Sequence, residues 1–332
     1  RENKELTTIV QSLMQEGKGI LAADESDATA GKRLEIAGLP NQPGNRQDFR
    51  EIMFTAPGIE EYLSGVILYD STIRENTDAG IPFVDVLAAR GIVPGIKVDM
   101  GAKELQKFPG EVVTEGLDNL SLRLEEYYTL GARFTKWRSV VTIGNGIPSD
   151  EILRLNAIQF ALYALRVQEA HMVPIVEPEV IFNGNHSLQT AESVTTHTLQ
   201  ILFETLRTYH VDLGGLILKS SMVLAGSDVQ PESSPEEVAV ATIRTFQLGV
   251  PRDVGGIVFL SGGQTPKRST DNLNAIQKLG KQAWPITFSF SRALEEPVLT
   301  TWQGKPENIS SAQKALLDTL KENSLAQQGK LG

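Results

Sequence analysis

Eight short apolar or β-branched runs punctuate the chain, each followed by a turn and a longer stretch whose apolar residues recur at helical spacing. The runs are Gly19–Asp24, Ser64–Tyr69, Val93–Val98, Arg133–Val140, Val173–Glu177, Gly215–Lys219, Gly256–Leu260 and Ile286–Phe290. Between them lie amphipathic segments. In Asp150–Glu169, for example, Ile152, Leu155, Ile158, Leu162 and Leu165 recur at helical intervals behind the start signal Pro148-Ser149-Asp150. Ser233-Ser234-Pro235-Glu236-Glu237 opens another helix, and a last one over about Asn308–Gln327 is expected to pack outside the strands. Strand and helix alternate without a composition break or long linker. The pattern therefore predicts an α/β fold, a single (β/α)8 TIM barrel with additional terminal helices that occupies 1–332 as one domain.

Composition narrows the function. No apolar run approaches the roughly 20 residues of a membrane helix, so no membrane span is expected. Lys plus Arg number 31 against 41 Asp plus Glu, a net charge of −10, which argues against nucleic acid and anionic membrane as partners. An anionic substrate would need local cations. The chain has no Cys, which removes disulfides, thiolate catalysis and thiolate metal sites. His171, His186, His197 and His210 form no pair at zinc-ligand spacing, and neither GxxxxGK[ST] nor GxGxxG occurs, so no metal and no cofactor is expected. The cytoplasm is the default compartment. The chain opens at Arg1 rather than Met, so upstream residues are expected to have been removed.

Barrel enzymes place their chemistry at the C-terminal ends of the strands, so polar residues that close an apolar run are the informative ones. These are Asp24, Lys97 and Asp99, Lys136 and Arg138, Glu177 and Glu179, Lys219, and Arg292. Alternation along a strand puts Lys136 and Arg138 on one face, and Glu177 and Glu179 on one face. Lys219 ends the apolar run Gly214-Gly215-Leu216-Ile217-Leu218. In a dry pocket beside a second ammonium such as Lys136, a lysine is biased toward the neutral amine that attacks carbonyls; the alternative is a purely structural pairing with Glu177. Ser261-Gly262-Gly263-Gln264 lets backbone N–H groups approach an anion, with Arg292 able to clamp the same phosphate. An ordinary glycine turn is the alternative. Lys32 and Arg33, with Lys97 and Arg138, could hold a second phosphate, or Lys32-Arg33 could simply be a solvated helix face.

These motifs, taken as Gly19-Ile20-Leu21-Ala22-Ala23-Asp24-Glu25-Ser26, Gly95-Ile96-Lys97-Val98-Asp99, Lys136-Trp137-Arg138, Ile175-Val176-Glu177-Pro178-Glu179, Leu218-Lys219 and Phe259-Leu260-Ser261-Gly262-Gly263-Gln264, together resemble class I, Schiff-base fructose-bisphosphate aldolase. The likeness runs in order from about residue 4 to Lys330, and Gly131-Ala132-Arg133-Phe134 and Pro94-Gly95 resemble the plant-plastid and cyanobacterial branch. It implies reversible cleavage of fructose 1,6-bisphosphate to dihydroxyacetone phosphate and glyceraldehyde 3-phosphate, in glycolysis, gluconeogenesis or the Calvin cycle. Lys219 matches the Schiff-base lysine, Glu177 the proton shuttle, Lys136 the cation assisting it, Asp24 the base for C–C cleavage and Glu179 a supporting carboxylate. Ser261, Gly262 and Arg292 match binders of the ketone-side phosphate; Ser26, Lys32, Arg33, Lys97 and Arg138 match the region of the other.

The resemblance also implies a homotetramer, a plastid stroma if the source is a photosynthetic eukaryote, and sedoheptulose 1,7-bisphosphate as a further substrate. Two departures stand out. Phe290-Ser291-Arg292 lacks an aromatic hydroxyl often found at its first position, and the chain ends Lys330-Leu331-Gly332 where eukaryotic members carry a tail with a terminal Tyr. Its last Tyr is Tyr209, so either a tail has been lost or that proton-transfer step is missing. Two other readings stay open: a transaldolase or monophosphate aldolase with one phosphate site, and a binding protein without activity.

Overall fold

The computed structural model describes residues 3–332, so Arg1 and Glu2 of the expected 1–332 domain lie outside the described residues. Ten strands form: β1 (Gly19–Ala23), β2 (Leu63–Leu68), β3 (Val93–Lys97), β4 (Ala102–Leu105), β5 (Phe108–Thr114), β6 (Phe134–Val141), β7 (Val173–Val180), β8 (Ile217–Ser220), β9 (Gly256–Phe259) and β10 (Ile286–Phe290). Eight close into a barrel of parallel pairs in the order β1-β10-β9-β8-β7-β6-β3-β2. All eight expected runs are barrel strands. β7 extends past Glu177 to Val180, and β8 begins at Ile217 because Leu213–Gly215 forms a 3-10 turn first.

Strand parity sorts the apolar residues into two layers. Ile20, Ala22, Ile67, Phe134, Val173, Ile175, Ile217 and Val258 point into the barrel, where they pack with Leu6, Val10 and Leu13 of the helix Lys4–Leu13. Their neighbours Leu21, Val66, Ile96, Trp137, Val176, Leu218 and Phe259 point outward and join the layer between strands and helices. Fully burying each such side chain contributes about 1.5–3 kcal/mol. The amino-terminal helix thus stoppers one end of the barrel, leaving the other end open.

Phe134 fills the barrel floor only because its neighbours across the sheet lack side chains. Gly95 pairs with Phe134, and a Cβ there would lie 2.4–2.6 Å from its ring.

The helical expectations hold with one correction. Helix Asp150–Glu169 starts where expected, with Ser149 accepting a hydrogen bond from Ile152 N, and Pro235–Gly249 starts on a capping box between Ser234 and Glu237. The last helix, Ile309–Gln327, packs on Arg292–Trp302 and Pro266–Lys278, outside the barrel. In Asp150–Glu169, however, Leu155, Ile158 and Leu162 are exposed; of the expected stripe Ile152 is buried and Leu165 partly so, and Leu153, Ala157, Phe160, Ala161, Ala164 and Val167 complete the packed face. Small alanines let this helix lie close to the strands, while the larger residues of the regular stripe remain outside.

The pattern gave no sign of the antiparallel hairpin β4–β5, which follows β3. Its first strand is exposed and carries Lys103 and Glu104, so no apolar alternation marks it. Polar contacts brace it instead: Thr114 Oγ1 donates to Arg138 O at 2.7 Å, and both Glu111 carboxylate oxygens accept from Ser149.

Gly95→Ala is expected to destabilise the protein by about 1–3 kcal/mol, since the Phe134 ring has no free space to yield into. Thermal denaturation checks this; an unchanged Tm would show that the barrel floor is not close-packed.

Candidate active site

At the open end the strands surround a cleft of about 730 Å³. Its floor continues the interior parity of the barrel: Ile20 and Ala22 lead to Asp24, Phe134 to Lys136 and Arg138, Ile175 to Glu177 and Glu179, and Ile217 to Lys219. The change from apolar to ionisable side chains along each strand marks the boundary between packed core and site.

Four buried groups meet there. Lys136 Nζ lies 2.7 Å from Asp24 Oδ2 and 3.3 Å from Glu177 Oε2, and Lys219 Nζ lies 3.7 Å from Glu177 Oε1. Lys219 is 3% exposed. Burial opposes ionisation of Asp24, but Lys136 and Lys219 outweigh it and hold Asp24 below the ordinary aspartate value. Burial likewise opposes the ammonium of Lys136, and Asp24, Glu177 and Asp99 overcome it and raise its pKa. The result is a fixed cation with an ionised carboxylate on one side. On the other, a second carboxylate reaches a buried primary amine. Such a set can add an amine to a carbonyl and move the protons that this requires.

A second layer lies above. Arg138 Nε pairs with Glu179, and Lys97 Nζ pairs with Asp99 Oδ1 at 2.7 Å, while Asp99 Oδ2 accepts from Arg138 N at 3.1 Å. Across the cleft, Ser261 is buried and is followed by Gly262 and Gly263, whose φ values of 63° and 92° lie in the left-handed region that glycine tolerates. A Cβ on Gly263 would lie 3.2 Å from Arg292 Nη2, so bare backbone and guanidinium face the same space. Arg292 opens the helix Arg292–Trp302. Burial and the neighbouring Arg33 lower its pKa against the pull of Glu179 and Glu296. A solvent-accessible guanidinium short of anionic partners, at a helix N-terminus beside two glycines, is suited to an exogenous phosphate.

A family model described as fructose-bisphosphate aldolase class-I matches residues 5–332. The chain belongs to the class I fructose-bisphosphate aldolase family. It is 47% identical over 328 residues to a probable fructose-bisphosphate aldolase class 1 of Xanthomonas axonopodis pv. citri, covering 98% of both chains. It is 49% identical over 315 residues to the cytoplasmic isozyme of Cicer arietinum, covering 94% of this chain and 88% of that one. A crystal structure of fructose-bisphosphate aldolase from Plasmodium falciparum, in complex with TRAP and a small-molecule inhibitor, superposes with a TM-score of 0.98 at 42% identity, covering 99% of this chain and 95% of that one.

In this family member the expected site residues do not all fall together. Lys32 is exposed and does not line the cleft, whereas Arg33 does; successive residues of the helix Asp27–Leu34 point about 100° apart, so only one of the two can face inward. Arg33 neighbours Arg292, because β1 and β10 are adjacent in the closed barrel and the helix after β1 lies against the helix after β10. Ser26 lines the cleft and caps that helix, accepting from Thr29 N.

Sequence reasoning missed Ser289 and Ser291, which line the cleft. Ser289 was findable, since Phe288 and Phe290 pack outward and parity turns Ser289 into the cleft. Among the described residues no three or more His, Asp and Glu side chains are grouped to hold a metal ion; His171 instead contacts Glu5, and His197 contacts Asp150. Among the described residues, too, no helix is long and apolar enough to cross a membrane.

The charge on Asp24 gives an acid-sensitive contribution to stability. Its folded pKa is depressed, so the stabilisation is present above the ordinary aspartate value of about 3.9 and is lost as pH falls through the lower folded value. Wild type should therefore lose stability more steeply on acidification than Asp24→Asn, as read by denaturant midpoints against pH. Parallel acid limbs would show that Asp24 is not the depressed group.

Proposed function

We propose that this chain cleaves fructose 1,6-bisphosphate reversibly to dihydroxyacetone phosphate and glyceraldehyde 3-phosphate through a Schiff base on Lys219, without a metal or other cofactor. The supporting observation is the buried chain of contacts from Lys219 through Glu177 and Lys136 to Asp24. In this reading the Lys219 amine adds to the C2 carbonyl, and Glu177 delivers the proton that lets the carbinolamine lose water and become an iminium. Lys136 keeps Glu177 and Asp24 close without mutual repulsion. Asp24 takes the C4 hydroxyl proton, the C3–C4 electrons pass to the iminium, and glyceraldehyde 3-phosphate leaves an enamine on Lys219. Protonation at C3 and hydrolysis then release dihydroxyacetone phosphate and the free amine.

Ser261, Gly262, Arg292 and Arg33 hold the ketone-side phosphate in this proposal, and Lys97, Arg138 and Ser26 serve the other, with Glu179 orienting Arg138. Lys32 is left outside. The separation of two cationic ends by the lysine floor supports a bisphosphate over a monophosphate, and a longer sugar such as sedoheptulose 1,7-bisphosphate shares both ends. Cytoplasmic location follows the cytosolic plant relatives; the plastid and cyanobacterial affinity rests on Gly131-Ala132-Arg133-Phe134 and Pro94-Gly95 alone. A single working barrel over 1–332 that assembles as a homotetramer accords with the exposed Leu155, Ile158 and Leu162, an apolar stripe that a second copy would cover.

Lys219→Arg keeps charge and bulk but cannot form the imine. It should lose nearly all cleavage and all adduct trapped by borohydride with dihydroxyacetone phosphate, whereas Lys136→Met slows turnover by orders of magnitude. Peptide mapping that finds the adduct on Lys136 or Lys97 in wild type would refute the assignment.

Arg292→Ala should raise KM by roughly ten-fold or more, the loss of one charge-assisted phosphate contact of about 1.5–3 kcal/mol. Steady-state kinetics with an unchanged KM would remove Arg292 from the site.

A further inference from the structure

We propose that Glu25 and Glu295 share one proton and so position Arg33 and Ser291, linking anion binding at the Arg292 end of the cleft to protonation of this carboxyl pair. The proposal rests on reading that end as a phosphate site. Glu25 follows Asp24 at the end of β1, and Glu295 lies in the first turn of the helix after β10; closure of the barrel between β1 and β10 brings them together. Glu295 is fully buried and Glu25 nearly so, and both carboxyl groups converge on the same two side chains, Arg33 and Ser291; two carboxylates crowded into one dry site favour keeping a single proton between them.

Two guanidiniums flank the pair. Arg50, itself buried, places Nη2 2.7 Å from Glu25 Oε2 and Nη1 3.8 Å from Glu295 Oε1. Arg33 Nε lies 3.9 Å from both Glu25 Oε1 and Glu295 Oε2. Ser291 Oγ donates to Glu25 Oε1 at 2.7 Å and lies 3.4 Å from Glu295 Oε2. The other charges facing this cluster are Asp24 beside Glu25, Arg292 beside Arg33, and Glu75 opposite Arg50. Burial and the charge of Glu25 push Glu295 well above the ordinary glutamate value. Burial also opposes the charge of Glu25, but Arg50 outweighs it and holds Glu25 below that value.

With the proton in place, two guanidiniums face one carboxylate charge and the cluster is net positive. Without it the cluster is neutral, and Arg33 is drawn toward two carboxylates instead of the cleft. A dianion bound beside Arg33 and Arg292 therefore favours the protonated pair, and reciprocally the pair's proton favours the dianion. The sign follows: affinity is full while the pair holds its proton and falls as pH rises through its upper titration. Neither carboxyl touches the reacting carbons, so both are positioning residues, and their effect should fall on KM rather than kcat.

The test compares wild type with Glu295→Gln, which keeps the shape and hydrogen bonding of the protonated acid but cannot ionise. Sulfate, a dianion throughout the working range, is titrated calorimetrically across pH in two buffers of different ionisation enthalpy, alongside KM for fructose 1,6-bisphosphate. Wild type should weaken its sulfate binding several-fold on the alkaline side and take up protons on binding; Glu295→Gln should bind with little dependence on pH and no linked uptake. Difference infrared spectra of wild type at neutral pH should carry a protonated carboxyl C=O band that Glu295→Gln lacks. Sulfate binding that is absent or independent of pH in wild type, an unchanged pH slope in Glu295→Gln, or a missing carboxyl band would each overturn the proposal. The sulfate and infrared measurements need no turnover, so a chain that fails to cleave the bisphosphate would sink the functional reading alone.

Discussion

The ammonium of Lys136 lies between two buried carboxylates, Asp24 and Glu177, and the floor of the cleft depends on it. Two like charges so close in a dry site would drive one carboxylate to pick up a proton or pull the strands apart. With the cation between them both can be held, and removing one partner of such a buried set typically costs about 3–5 kcal/mol because the remaining charge is stranded. The same arrangement leaves the second oxygen of Glu177 free to reach Lys219, at 3.7 Å. Stability and the proposed proton path therefore draw on the same three groups, which fixes their geometry more tightly than either requirement alone.

The barrel supplies this arrangement through side-chain parity. Every second residue of a strand points inward, so the apolar ladder Phe134, Ile20, Ile175 and Ile217 in the floor determines where Lys136, Asp24, Glu177 and Lys219 stand above it. Adjacent strands then bring residues far apart in sequence into ion-pair distance. The helix Lys4–Leu13 seals the other end, so apolar packing and charge occupy separate depths of one cylinder.

The two ends of the cleft are built differently. At one, Lys97 and Arg138 are held by Asp99 and Glu179, so an incoming anion competes with resident carboxylates. At the other, Arg292 is short of such partners and Arg33 stands over a pair of carboxyl groups that share charge with the buried Arg50. A phosphate is expected to be held more firmly where the cation is less satisfied, since it displaces no resident carboxylate there.

Much of this was legible in the sequence. Eight apolar runs with their turn signals determined the barrel, and the polar residues that end those runs marked Asp24, Lys136, Glu177 and Lys219, because a period of two and a period of 3.6 are both local properties of the chain. Six motifs in order carry the likeness to the family. Tertiary structure alone decided what depends on neighbours. It turned Lys32 out and Arg33 in, set Arg33 beside Arg292, and left Leu155, Ile158 and Leu162 exposed on a helix whose regular stripe suggested burial. It also formed a hairpin whose first strand is exposed and partly charged, and it brought Glu295 to the same Arg33 and Ser291 as Glu25. Those outcomes follow from which strand closes against which, and contacts between β1 and β10, more than 250 residues apart, leave no periodic trace in the chain that makes them.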